Sequence, residues 1–79
     1  MKWELRLSQR AVRGLYGLDR QLVPNVWAAL RRLAEEPVMA HLQASEDDPS
    51  LYWFAIEGDV TVWLEILDER HAIRIVKIE

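Results

Sequence analysis

There is no cysteine in these 79 residues, so neither a disulfide framework nor a thiolate metal site can support the fold. A reducing compartment is compatible with that composition. His41 and His71 stand 30 positions apart among scattered carboxylates, which is not metal-ligand spacing, and no metal or cofactor is expected. Glycine is scarce, with Gly14, Gly17 and Gly58 the only three. They form no phosphate-cradling loop, and no Ser-His-Asp order or nucleophilic cysteine stands out. No apolar run approaches the roughly 18 residues of a membrane span, so no membrane association is expected. The start, Met-Lys-Trp-Glu-Leu-Arg-Leu, alternates charge and apolarity, whereas a signal peptide needs an unbroken apolar stretch after its basic start. The expectation is a cytoplasmic protein.

What is present suffices for one small core. Hydrophobic residues make up 51% of the chain and include four tryptophans, which matters because a chain this short buries only roughly 60–65% of its unfolded surface. One domain spanning residues 1–79 is expected. Its charge is uneven. Residues 1–43 carry seven Lys/Arg against four Asp/Glu, and residues 44–79 carry three against nine. A basic half and an acidic half either attract each other within the domain, form a solvated mixed surface, or present the basic part to an anionic partner. The overall net charge of −3 argues against tight nucleic-acid binding, which uses a basic surface.

Lys2 to Leu7 has period two, with Trp3, Leu5 and Leu7 on one side and Lys2, Glu4 and Arg6 on the other, which predicts a half-buried strand. Ser8 is a good helix N-cap. From Gln9 to Leu18, Ala11, Val12, Leu15, Tyr16 and Leu18 recur at helical spacing, with Arg10 and Arg13 off that face. Gly14 and Gly17 weaken this helix by roughly 1 kcal/mol each, which suggests close approach to a neighbouring helix at Gly14 and termination at Gly17. A second helix is predicted over Asp19 to Glu36, either capped by Asp19 or beginning at Pro24. Val23, Val26, Trp27, Leu30, Leu33 and Ala34 form its apolar stripe, Arg31 and Arg32 flank it, and Pro37 stops it. Val38 to Ser50 has no clear period, and its end, Ser45 to Ser50, is an acidic, proline-bearing loop.

Leu51 to Glu79 breaks into three apolar runs separated by Gly58-Asp59 and Asp68-Glu69-Arg70, the pattern of a three-stranded meander. Leu51 to Glu57 is apolar on both faces, which suits a central or well-covered strand. In the next run Val60, Val62, Leu64 and Ile66 share one face, and Thr61, Trp63, Glu65 and Leu67 the other. In the last run strict alternation puts Arg74 and Lys77 on opposite faces. The predicted architecture is α+β, in the order β-α-α-β-β-β, with a helical hairpin packed on a small antiparallel sheet.

That order of elements resembles the RelE/ParE superfamily of toxins from bacterial type II toxin–antitoxin pairs. The resemblance is carried by Trp3 to Val12 as strand, Ser and helix; by Leu33-Ala-Glu-Glu-Pro37 at the end of the second helix; and by Leu42 onward. It continues through Tyr52-Trp-Phe-Ala-Ile-Glu-Gly-Asp, Val60-Thr-Val-Trp-Leu-Glu-Ile-Leu-Asp-Glu and the final strand Ile73-Arg-Ile-Val-Lys-Ile, and so covers essentially the whole chain. Members that cleave messenger RNA on the ribosome usually begin the strand after the turn with an aromatic residue and a phosphate-binding arginine; the matching pair here is Val60-Thr61. A threonine hydroxyl does not replace a planar cation that grips phosphate bidentately. Such members also often continue past the last strand into a basic or tyrosine-bearing tail, where this sequence ends at Glu79.

The resemblance implies an antitoxin protein as partner, and either cleavage of ribosome-bound messenger RNA or inhibition of gyrase as activity. Cleavage through a 2′-hydroxyl needs a base, an acid and a cation. The candidates are Glu65 as base, His71 as acid or base, and Arg74, Lys77 or Arg6 as cation, each set against an ordinary surface role. Arg10, Arg13, Arg31 and Arg32 are the residues expected to face an acidic partner segment. Trp53 and Trp63 have three readings: stacking on bases, a partner interface centred on Trp63, or ordinary core. The alternative to a toxin is a catalytically degenerate member kept as an interaction or homodimerisation module through its Trp-bearing sheet.

Overall fold

The computed structural model describes residues 2–37, 41–57 and 59–79. Gly58 of the expected Gly58-Asp59 turn and Val38 to Ala40 of the aperiodic segment lie outside the described residues. The elements run β1 (Glu4–Leu7), α1 (Gln9–Tyr16), α2 (Val23–Glu35), β2 (Gln43–Ala44), β3 (Leu51–Ile56), β4 (Val60–Leu67) and β5 (Ala72–Ile78). The five strands form one sheet in the order β1-β5-β4-β3-β2. Two helices cover one of its faces, as an α+β layout requires.

Two features of the sheet differ from expectation. First, β1 lies parallel to β5, with Leu5 beside Ile73 and Leu7 beside Ile75, while all other pairings are antiparallel. A period-two pattern reads the same in either direction, so the sequence of β1 carries no sign of its orientation. Second, β2 is an additional strand. It pairs Gln43 with Trp53 and Ala44 with Tyr52, and two residues are too few for a period to show. The central strand is therefore β4, and β3, expected to be central or well covered, lies one strand in from the edge.

Ser8 ends β1 and begins α1. Its Oγ accepts the Ala11 N–H at 3.0 Å, as an N-cap should. The same hydroxyl donates to the Val76 carbonyl at 2.6 Å, and the Ser8 amide donates to the Ile75 carbonyl at 2.9 Å. Val76 is the extra residue of a β-bulge: Trp63 pairs with Lys77 and Leu64 with Ile75. The bulge resets the alternation along β5. Arg74 pairs with Glu65, Lys77 pairs with Trp63, and so both cations share one face, where strict alternation had placed them on opposite faces.

The core lies between the helices and the covered face. It consists of Ala11 and Leu15 of α1, Val26, Leu30 and Leu33 of α2, and Phe54, Val60, Val62, Leu64, Ile73, Ile75 and Ile78 of the sheet. In α1 only Ala11 and Leu15 are buried; Val12 and Tyr16, expected on the same face, are 36% and 75% exposed. The close approach at Gly14 is to β5 and not to a helix, because a Cβ there would overlap the carbonyl oxygen of Ile78. Gly14 thus gives up helix propensity to let α1 settle on the sheet. Gly17 is the C-cap residue. Helix α2 starts at Val23 with Pro24 in its first turn. Asp19 instead shapes the connection, its Oδ1 accepting the Gln21 N–H and its carbonyl the Leu22 N–H. No helix among the described residues is long and apolar enough to cross a membrane.

Candidate functional site on the uncovered sheet face

Strand pleating sends alternate residues to the face away from the helices. Cross-strand register places Glu4 and Arg6, then Arg74 and Lys77, then Glu65, Trp63 and Thr61, then Leu51, Trp53 and Ala55, and finally Gln43 on that face. Its β1–β5–β4 side is a charged ladder. Arg6 is the register neighbour of Arg74. Arg6 Nε lies 3.0 Å from Glu4 Oε1, Arg74 Nη1 lies 3.5 Å from Glu65 Oε1, and Lys77 Nζ lies 3.0 Å from Glu79 Oε1. The hydrogen bond from Arg6, with its charge, holds the Glu4 carboxyl below its ordinary range and raises the Arg6 guanidinium in return. Each cation of this ladder therefore has its own carboxylate. Side by side, Arg6 and Arg74 make the small basic patch that cross-strand placement allows, but its field is largely cancelled in place.

Of the five candidates for cleavage, Glu65, Arg74, Lys77 and Arg6 share this face and His71 does not. Glu65 and Arg74 face each other across β4 and β5. His71 closes the turn between those strands in a left-handed conformation, φ 50° and ψ 46°. Its ring stacks on Trp3 with centroids 4.0 Å apart and planes inclined by 22°. Trp3 packs against the helix-side core, so the imidazole is held at the hairpin end and away from the Glu65–Arg74 pair. Along the chain, His71 precedes Arg74 by three positions, roughly 10 Å at strand rise.

The β4–β3–β2 side of the face is different. Trp53 and Trp63 are directly opposed, with ring centroids 6.1 Å apart and planes inclined by 40°. Neither belongs to the core cluster and both are half-buried, which removes the ordinary-core reading of the pair. Lys77 Nζ sits 5.4 Å from the centroid of Trp63, in cation–π range. The Trp63 indole N–H is buried without a hydrogen-bond acceptor. Beside the pair lies a cleft of about 450 Å³ lined by Gln43 to Asp47, Trp53, Thr61 and Trp63. Thr61 is anchored here by its main chain, which exchanges two hydrogen bonds with Glu79 at 2.8 and 3.0 Å. Sequence reasoning missed this cleft because the strand that brings the acidic loop to it is only two residues long. The acidic run itself was visible as a loop.

On the opposite side of the molecule Arg10, Arg13, Arg31 and Arg32 are all exposed, and none is in an ion pair among the described residues. Arg10 and Arg13, three apart, share a side of α1. Arg32 borders a second cleft of about 360 Å³ between α2 and β3, lined also by Asn25, Ala28, Ala29, Phe54 and Ile56. Trp27, 37% exposed, stands one turn before Arg31. Among the described residues, no group of three or more His, Asp or Glu could hold a metal ion.

No family model matches this sequence, and no curated protein matches it significantly. Solved structures do. A chain of the RelBE2 toxin–antitoxin complex from Mycobacterium tuberculosis superposes with a TM-score of 0.88 at 17% identity, covering 100% of this chain and 98% of that one. The RelE–RelB complex of Pyrococcus horikoshii gives 0.76 at 19% identity, covering 100% and 94%. A mutant form of Escherichia coli toxin RelE, in complex with a peptide of the antitoxin RelB, gives 0.80 at 15% identity, covering 99% and 82%. The chain has the RelE-like α+β fold.

Proposed function

We propose that this chain is the toxin-type component of a type II toxin–antitoxin pair, acting in the bacterial cytoplasm and bound there by an antitoxin protein. The observation that carries the proposal is the end-to-end likeness to RelE chains solved with their RelB antitoxins, which covers 100% of this chain and 98% of the Mycobacterium tuberculosis one. The unpaired arginines of the two helices suit an acidic antitoxin segment. Opposite charge speeds encounter and fixes register, and an exposed arginine keeps its fork free for a carboxylate.

The test is co-expression with the product of the adjoining reading frame. The two proteins should purify as one complex. Reversing Arg10, Arg13, Arg31 and Arg32 to glutamate should weaken it by about tenfold or more through lost electrostatic complementarity. A neighbour that never co-purifies, or a complex indifferent to all four reversals, would count against the antitoxin-binding role of this surface.

Arginine-dependent RNA cleavage needs a free cation at the phosphate, yet position 61 is threonine and Arg6, Arg74 and Lys77 are each held by a glutamate. We therefore read the uncovered face as one that does not cleave RNA by that route. The chain would act either on gyrase or as an interaction module that keeps the scaffold and its antitoxin surface. Glu65 as base and Arg74 as cation stay together on this face, whereas His71, stacked on Trp3 at the hairpin end, stands apart from them. Restoration of cleavage by Thr61→Arg would support degeneration of an ancestral ribonuclease site.

A further inference from the structure

We infer that the cleft beside the tryptophan pair is a binding site for a cationic side chain, arginine or lysine, presented by a protein partner. Two aromatic walls, Trp53 and Trp63, meet at 40°, and the neighbouring loop places Glu46 and Asp47 on the rim. No lysine or arginine lines the cleft. The other carboxylates of this face, Glu4, Glu65 and Glu79, each hold a cation. Glu46 and Asp47 are exposed and are in no ion pair among the described residues.

Aromatic faces attract ammonium and guanidinium groups, and Lys77 already shows this on Trp63, 5.4 Å from its centroid. Carboxylates at the rim add charge complementarity and steer a basic partner inward. The loop is held in shape before any partner arrives. The Ser45 amide donates to the Leu51 carbonyl at 2.8 Å, and Asp48 Oδ1 accepts both the amide and the hydroxyl of Ser50, at 3.0 and 2.7 Å. Such pre-organisation lowers the entropic cost of binding. A volume of about 450 Å³ lies within the range of ligand-binding sites. Among the described residues that line the cleft, a phosphate backbone would instead meet two carboxylates and no cation, and Lys77, over the Trp63 ring, is already paired with Glu79. This is the reverse of what nucleic acid requires. The cleft is on the opposite face from the helical arginines, so peptide capture here and antitoxin capture there succeed or fail independently.

The experiment is fluorescence anisotropy of a labelled hexa-arginine peptide titrated with the full chain, with a hexa-glutamate peptide and a single-stranded RNA as alternative ligands. The arginine peptide should bind saturably and the other two should not. Glu46→Lys with Asp47→Lys should weaken it by about tenfold or more, whereas the same charge change at exposed Asp68 and Glu69 should alter it by no more than about twofold. Trp53→Ala should weaken binding and Trp53→Phe should retain most of it, with circular dichroism confirming that both variants fold. Equal weakening by the two charge-reversal pairs, indifference to Trp53→Ala, no peptide binding, or preferential binding of the RNA would each overturn the assignment.

Discussion

The two faces of one sheet are built from the same strands and do opposite work. On the covered face Val60, Val62 and Leu64 of β4 lie fully or almost fully buried against Phe54, Ile75 and Ile78. On the other face the residues between them, Thr61, Trp63 and Glu65, are only half-buried. The first set is interchangeable in kind with any well-packed apolar set, which is how one fold is shared at 15–19% identity. The second set is less tightly packed, and this is where Thr61 occupies the position that the resemblance assigns to arginine. Scaffold and chemistry are thus written on alternate residues, and similarity of the first carries no guarantee of the second.

That division can be broken by paired substitutions. Leu64→Ala should cost about 3 kcal/mol, the transfer term plus an unfilled cavity. Its neighbour Glu65→Ala should change stability by no more than about 0.5 kcal/mol, as for an ordinary surface position. Urea unfolding of both measures the contrast, and comparable losses would mean that the uncovered face is also structural. Gly14→Ala should cost about 2 kcal/mol despite its gain in helix propensity, because the new methyl meets the main chain of Ile78 and no flexible side chain can yield. If it stabilised the protein, as an exposed glycine replacement in a helix would, α1 could not sit on β5 as described.

A smaller effect is expected at Ser8. Ser8→Ala removes both the cap of α1 and the donor to Val76, and should cost about 1–2 kcal/mol. Ser8→Thr, which keeps the hydroxyl, should recover part of it. The same hydroxyl bonds Val76, the extra residue of the β5 bulge, so Ser8→Ala should shift the amide resonances of Val76 and Lys77 as well as those of the first helical turn.

The cap at Ser8 was legible from its position between an alternating strand and a helical pattern. The role of the same hydroxyl at Val76 was not, because 68 residues separate donor and acceptor. The bulge followed the same rule. Alternation in His71 to Ile78 looks regular, and only pairing with β4 reveals that Val76 is extra and that Arg74 and Lys77 share a face. Helices, meander and strand limits were readable because apolar period and turn residues agree locally. The acidic–aromatic cleft was hidden because it is assembled from β2, β3, β4 and a loop, and β2 is too short to carry a pattern. The sequence shows His71 only as a titratable group at a hairpin edge; its stacking on Trp3 depends on the parallel docking of β1, which has no local signal.

The smallest expected effect is electrostatic. Glu4 and Asp48 are held below their ordinary values of 4.5 and 3.8, the first by Arg6 and the second by hydrogen bonds from Ser50. A carboxyl depressed by folding contributes stability that is fully present above its unfolded pKa and is lost as pH falls through the lowered folded value. Both groups are exposed, so the contribution should be slight and should shrink with added salt. Carboxyl carbon NMR titration should show both midpoints below those of unpaired glutamates and aspartates, and Arg6→Gln should return Glu4, but not Asp48, to its ordinary range. An unchanged Glu4 midpoint in that variant would remove the Arg6–Glu4 pair from the charged ladder.

The most direct test of the contrast between the RelE-like scaffold and its uncovered face is the mapping of messenger RNA 5′ ends in a bacterium after induced expression of this chain alone. The account predicts a 5′-end map unchanged from the uninduced control, and the same map for Glu65→Ala. New, ribosome-dependent cut sites that disappear in Glu65→Ala or Arg74→Ala would contradict it, because they would show that the uncovered face cleaves RNA without an arginine at position 61.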